Sequence, residues 1–179
     1  MGAEMMPSSI REYLIVFDKD QCVQCHACEI ACTSWRGLAP GDGYRRIVRI
    51  WQGRYPDIRS QALSLACLHC VRPQCLDVCP VEAISKDPHN GLVVVDNELC
   101  IGCGACREGC PFGVPQIDDG VGMGKCDLCL DQSAQGVTAP CIDTCPGNAL
   151  TLQVVSVEEK LRYEREMTAT FARAAGKPV

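Results

Sequence analysis

The sequence predicts an α+β chain of short antiparallel strands set around cysteine-rich loops and closed by one C-terminal helix. Three observations predict it. All 16 cysteines of the 179 residues fall into four quartets with none left over. Short apolar runs flank those quartets, and clusters of Pro, Asn and Gly reverse the backbone between them. The one long amphipathic stretch comes last, behind a Ser-x-x-Glu start signal.

Tyr13–Phe17 is the first extended run and leads into Cys22, Cys25, Cys28 and Cys32. The longest segment between quartets, Thr33–Ala66, holds a strand-like Tyr44–Trp51 and a loop at Gly53–Pro56. Trp35 and Trp51 are expected to pack as core or rim. The second quartet is Cys67, Cys70, Cys75 and Cys79, followed by Pro80. After it Ala83-Ile84-Ser85 starts a strand, which Asp87-Pro88-His89-Asn90-Gly91 turns back into Leu92–Val95. Gly91–Asp96 leads into Cys100, Cys103, Cys106 and Cys110, followed by Pro111. Pro115-Gln116-Ile117 then reaches a glycine-rich stretch. Gly120, Gly122 and Gly124 miss G-x-G-x-x-G because Lys125 stands at the last position, so they are expected to be turn glycines and not a dinucleotide loop. The fourth quartet is Cys126, Cys129, Cys141 and Cys145, with Pro146 behind it, and Ala149–Val155 makes a final strand. Ser156-Val157-Glu158-Glu159 opens a helix ending near Gly176. Tyr163, Met167, Thr170, Phe171 and Ala174 share one face of it, expected to pack on the core. Residues 177–179 are expected to be loose.

Three quartets end in Cys-Pro, and the run C-x2-C-x2-C-x3-C-P is the bacterial ferredoxin ligand set for cubane iron–sulfur clusters. Two-residue gaps let a tight loop wrap three sulfurs around one cluster face. Small residues such as Gly102, Gly104 and Ala105 bring backbone amides close. The last cysteine lies about one helical turn further on, points elsewhere, and in two-cluster ferredoxins ligates the other cluster. Proline after it has no amide and a fixed φ, so it directs the chain away. A disulfide framework fits poorly, since no secretory leader is visible and the spacing is too regular. Zinc would use C-x2-C pairs and leave the third and fourth cysteines unexplained.

Only 5% of the chain is aromatic, and cysteine itself supplies much of the 47% apolar fraction. The core is therefore expected to be thin and the clusters to act as staples, so that an iron-free chain would not fold stably. A formal charge of −5, made more negative by clusters, argues against nucleic acid as a partner. No run approaches the ~18 apolar residues that span a bilayer. Residues 1–10 show neither a leader nor an acylation pattern, and Arg45-Arg46 lies mid-chain among apolar residues. Many reduced thiols or clusters point to the cytoplasm, and export alongside a partner stays open beside it. Quartets two and three are close in sequence and form one two-cluster module over 61–119. It is inserted into an outer module, 1–60 with 120–155, built from quartets one and four; 156–179 is the helix and tail. Beside the ligands, Lys125 and Arg107 either raise a cluster potential or are solvated surface charges. His69 is expected to pack or hydrogen-bond and not to ligate, while His26 and His89 carry only loop or turn signals.

These stretches together resemble a known family. CVQCHACEIAC at Cys22–Cys32, CLHCVRPQCLDVCPVEAI at Cys67–Ile84, CIGCGACREGCPFGVPQI at Cys100–Ile117 and KCDLC with APCIDTCPGNAL over Lys125–Leu150 resemble the iron–sulfur subunits of the dimethyl sulfoxide reductase type. The resemblance covers about residues 12 to 155. It implies a non-catalytic electron-transfer subunit with four [4Fe-4S] clusters, working beside a molybdenum or tungsten pterin subunit. It also implies crossed ligands. Cys22, Cys25 and Cys28 would share a cluster with Cys145, and Cys126, Cys129 and Cys141 one with Cys32. Cys67, Cys70 and Cys75 would pair with Cys110, and Cys100, Cys103 and Cys106 with Cys79. The clusters of quartets one and four would lie nearer the pterin subunit. A further redox subunit (flavoprotein, ferredoxin or membrane quinone subunit) and self-association are compatible with the pattern. Cysteine at every ligand position implies no three-iron centre, and direct membrane anchoring through a C-terminal helix or long extension is not expected. A freely diffusing polyferredoxin, or a metal-stabilised scaffold or redox sensor, stays open beside this reading.

Overall fold

The structure is a computed structural model that describes residues 11–118, 122–130 and 138–174. Its first strand, β1 (Arg11–Phe17), pairs antiparallel with the last, β8 (Leu150–Ser156), with Phe17 opposite Leu150. Side chains alternate between the two faces of a strand. Here both faces are covered. Leu14 packs with Leu63, Leu65, Phe112 and Met167, whereas Ile15 packs with Cys28, Cys126, Leu128 and Cys141. This is why the run reads as nearly continuous apolar sequence.

Three further antiparallel pairs follow. β2 (Arg45–Gln52) pairs with β3 (Arg59–Ala66), β4 (Ile84–Lys86) with β5 (Val93–Val95), and β6 (Gln116–Asp118) with β7 (Gly122–Gly124). The chain is thus a small α+β fold of two-stranded ribbons and a C-terminal helix. Strand β3 is absent from the sequence expectations, which placed no strand after the Gly53–Pro56 loop. Its alternation is masked because Ala62, Leu63, Ser64, Leu65 and Ala66 are all buried. The turn-glycine expectation also needs correction. Gly122 and Gly124 lie in strand β7, and a Cβ on Gly124 would run into the ring and Oη of Tyr44. Close approach of an aromatic ring, and not chain reversal, requires glycine there. Gly120 falls outside the described residues.

The helices are α1 (Ala27–Arg36), α2 (Gln74–Asp77), α3 (Ala105–Glu108), α4 (Pro140–Asp143) and α5 (Val157–Ala174). Helix α1 begins within the first quartet and runs past Cys32, whereas α2, α3 and α4 are four residues each, lie within quartets and are too short to announce themselves by periodicity. Helix α5 opens as expected. Ser156 N donates to Glu159 Oε2 at 2.8 Å, and Glu159 N returns a bond to Ser156 Oγ at 3.3 Å. Tyr163, Met167, Phe171 and Ala174 pack on the Leu14 cluster, Phe171 lying 5.7 Å from Phe112 between ring centres. Residues 175–179, including Gly176, lie outside the described residues. Trp51 is 65% exposed and so is not core, while half-exposed Trp35 borders a cysteine-lined cavity.

A buried ionic network ties α5 to the ribbons. Glu12 receives Lys86 Nζ and Lys160 Nζ, each at 2.7 Å. Lys160 also reaches Tyr13 O at 3.3 Å, and Lys86 reaches Cys70 O at 3.0 Å. Glu164 Oε1 accepts from Val71 N at 2.8 Å. The second cysteine loop is therefore pinned from two sides.

Candidate iron–sulfur site

The four cysteine loops share one backbone device. The residue before the second cysteine has a left-handed conformation in every quartet: Gln24, His69, Gly102 and Leu128, with φ of 58°, 49°, 65° and 62°. His26 and Gly104 repeat it just after that cysteine in quartets one and three. Left-handed φ turns successive peptide N–H groups to one side, a concave arrangement that suits an anion. For residues other than glycine it costs about 1–2 kcal/mol each. Such strain persists only where tertiary structure over-determines it, and it clusters at functional sites. The sequence offered glycine only in the third quartet. The other three adopt the same bend without it.

Two cavities show which cysteines meet. One is bordered by Cys32, Cys126, Cys129 and Cys141, together with Ile15, Arg45 and Leu128. The other is bordered by Cys79, Cys100, Cys103 and Cys106, with Ile84, Ile117 and Met123. Each brings three cysteines of one quartet to the last cysteine of another. Among the described residues, no three or more His, Cys, Asp or Glu side chains converge on one metal ion. A single zinc would draw its thiolates to about 2.3 Å from one point. A cube of four irons gives each thiolate its own iron. Four cysteines around each hollow fit that group.

The thiols of the remaining two sets also lie near one another. Burial pushes Cys28 up to about 11, with Cys141 and Cys145 adding to the shift. Burial pushes Cys70 up to about 12, Glu164, Cys67 and Cys110 adding to it. Cys75 rises to about 11 through burial, then Cys67 and Cys110, with Cys106 also contributing. Cys126 rises to about 12 through burial, and Cys67 and Cys141 are among its neighbours. Charge interactions between quartets therefore link Cys28 to Cys141, Cys126 to Cys67 and Cys75 to Cys106. Donors that point at sulfur include Arg36 Nη2, 3.1 Å from Cys129 Sγ, and Ala149 N, 3.3 Å from Cys145 Sγ. Hydrogen bonds of this kind raise cluster potentials.

The charged neighbours now separate. Lys125 is buried, donating to Val93 O and, at 3.3 Å, to Cys126 O, whereas Arg107 is exposed. His69 is fully buried and accepts from Val93 N at 2.9 Å through Nδ1, so it is a hydrogen-bonding residue. Burial, then Lys125 and Lys160, hold its pKa well below the usual range, and it is neutral. His26 does more than its turn signal suggested, bridging Glu29 and Arg49 Nη2, the latter at 3.1 Å. His89 keeps to its turn, its N–H donating to Asp87 Oδ1 at 2.8 Å. Arg36 and Arg45, which the sequence did not single out as site residues, border the Cys32 cavity. No local pattern marked Arg45 for burial, since Arg46 and Arg49 of the same strand are not buried.

This arrangement defines a protein that binds iron–sulfur clusters. A family model described as a 4Fe-4S dicluster domain matches residues 58–155, and one described as a 4Fe-4S binding domain matches 19–35. One polypeptide of the anaerobic dimethyl sulfoxide reductase of Escherichia coli (strain K12) is 35% identical, over 91% of this chain and 83% of its own length. One polypeptide of the sulfite dehydrogenase of Allochromatium vinosum is 34% identical, over 75% of this chain and 65% of its own. Protein NrfC of Escherichia coli (strain K12) is 35% identical, over 78% and 64% respectively. The protein belongs to the 4Fe-4S dicluster family of iron–sulfur electron-transfer subunits. Among the described residues, no helix is long and apolar enough to cross a membrane.

Proposed function

We propose that the chain carries four [4Fe-4S] clusters and relays electrons between a molybdenum or tungsten pterin catalytic subunit and an external donor or acceptor. Four ligand sets follow: Cys22, Cys25, Cys28 with Cys145; Cys126, Cys129, Cys141 with Cys32; Cys67, Cys70, Cys75 with Cys110; and Cys100, Cys103, Cys106 with Cys79. The observation that carries this reading is the pair of cavities in which a fourth cysteine from another quartet completes each set. The neighbouring thiols of Cys28 and Cys145, and of Cys70 and Cys110, support the other two sets.

The nested arrangement has support in the ribbons. β1 and β8 join the two ends of the outer module, 1–60 with 120–155, and the β4–β5 hairpin lies within the inserted module, 61–119. The β2–β3 and β6–β7 hairpins straddle the junctions and tie the modules together. Each cluster, when bound, supplies a one-electron centre. The chain's own part is to hold thiolates, turn peptide N–H groups inward and keep water out with Ile15, Leu128, Ile84 and Met123. It offers no nucleophile–base pair or nucleotide loop, so catalysis belongs to the partner.

The test is anaerobic purification with iron and sulfide analysis, where about 16 of each per chain is expected. Cys145→Ser and Cys22→Ser should then perturb the same paramagnetic centre, and Cys32→Ser the centre that Cys126→Ser perturbs. A Cys145→Ser effect on the Cys126 centre would refute the crossing. Co-purification with a large pterin subunit separates this role from that of a free carrier.

A further inference from the structure

Four charged side chains among the described residues are at least nine-tenths buried: Glu12, Arg45, Lys125 and Lys160. Glu12 and Lys160 neutralise each other. Arg45, 4% exposed, forms no ion pair with any described carboxylate. Its Nη1 donates to Ser64 Oγ at 2.9 Å, and its Nε has no partner. A guanidinium cannot shed its proton to escape burial. An uncompensated buried charge is strongly unfavourable, so a counter-charge is called for. Arg45 borders the cavity formed by Cys32, Cys126, Cys129 and Cys141. The sulfurs of Cys141, Cys126 and Cys28 lie within electrostatic reach of its guanidinium, and its side chain also hydrogen-bonds Cys141. Those sulfurs belong to two ligand sets. Position is fixed by the backbone, since Arg45 opens strand β2 opposite Ala66.

Building on the ligand assignment above, we infer that Arg45 is a fixed counter-cation shared by two clusters, the Cys28–Cys145 set and the Cys126–Cys141 set, and that it holds their reduction potentials up. One electron added to either cluster adds one negative charge. A nearby buried cation favours that reduced state more than an exposed one would, because the surrounding dielectric is low. The unpartnered Nε–H is free to donate towards sulfur as well. Arg45 is a positioning and tuning residue, touching no substrate.

The experiment is potentiometric titration of the full chain, followed by paramagnetic resonance, for the unaltered protein, Arg45→Met, Arg45→Lys and the exposed control Arg107→Met. Arg45→Met should move two of four midpoints to lower potential and leave two in place. Arg45→Lys, which keeps the charge but loses the Nε donor, should move the same two by less, and Arg107→Met none. Assembly of only the other pair in Arg45→Met, with about half the iron, also supports the inference. Full iron with no midpoint moved, or all four moved alike, overturns it while the ligand assignment stands. Iron well short of about 16 in the unaltered protein overturns the assignment, and the inference with it.

Discussion

Lys160→Met is the sharpest perturbation of the scaffold. Lys160 has no exposed surface, and its Nζ lies 2.7 Å from Glu12 Oε2 and 3.3 Å from Tyr13 O. Removing one member of a buried ion pair costs about 3–5 kcal/mol. Glu12 keeps Lys86 Nζ at 2.7 Å, which limits the loss, and methionine refills the space of the lysine stem. The expected destabilisation is therefore about 3 kcal/mol, the low end of that range. For a chain of this size each kcal/mol lowers Tm by roughly 2–4 °C. The expected fall is about 6–12 °C at fixed scan rate under anaerobic conditions, read by calorimetry and by loss of visible absorption. Glu12→Gln with Lys160→Met should cost less than the two single changes added together, since neither member of that pair is then left alone and the remaining cation, Lys86, is partly exposed. A fall under about 2 °C, or strict additivity, would refute the reasoning.

Three more outcomes are expected. Lys125→Met should lower the potential of one or two clusters beside Cys126 and Cys67, because a buried cation is removed; redox titration checks it, and unmoved midpoints count against it. Gly102→Ala should cost only about 1–2 kcal/mol, the expense of left-handed φ, because its Cβ would lie 3.8 Å from Ile117. Gly124→Ala, whose Cβ would clash with Tyr44, should cost clearly more; the ranking is read from thermal scans of both variants. Finally, burial raises Cys28 and Cys75 to about 11 and Cys70 and Cys126 to about 12 in the metal-free fold, from an ordinary 9.0. Below 9.0 these four are protonated in both the folded and unfolded metal-free chain and shift no folding equilibrium. As pH rises above 9.0 the unfolded thiols ionise first, so the metal-free fold loses stability towards 11–12. Cluster assembly below 9.0 should release about one proton per ligand cysteine, measurable by pH-stat titration, and acid should promote iron loss.

Much of the site was legible because its chemistry is carried by cysteine spacing. The quartets point to the cofactor class directly, and the Ser156–Glu159 capping box and apolar α5 face are local patterns that helix periodicity displays. β3 was not legible, since Ala62–Ala66 is buried on both faces and loses the alternation that marks a strand. Gly124 was misread because composition cannot distinguish a turn from close packing against Tyr44. Lys125 and Arg107 look alike in sequence, each beside a cysteine, and only their burial separates them. The sequence by itself determined what the protein binds, since thiolate number and spacing are covalent properties. Tertiary structure decided which cysteines meet and which cations lie beside them, because ribbons such as β1–β8 bring together residues more than a hundred positions apart, and local pattern does not encode that pairing.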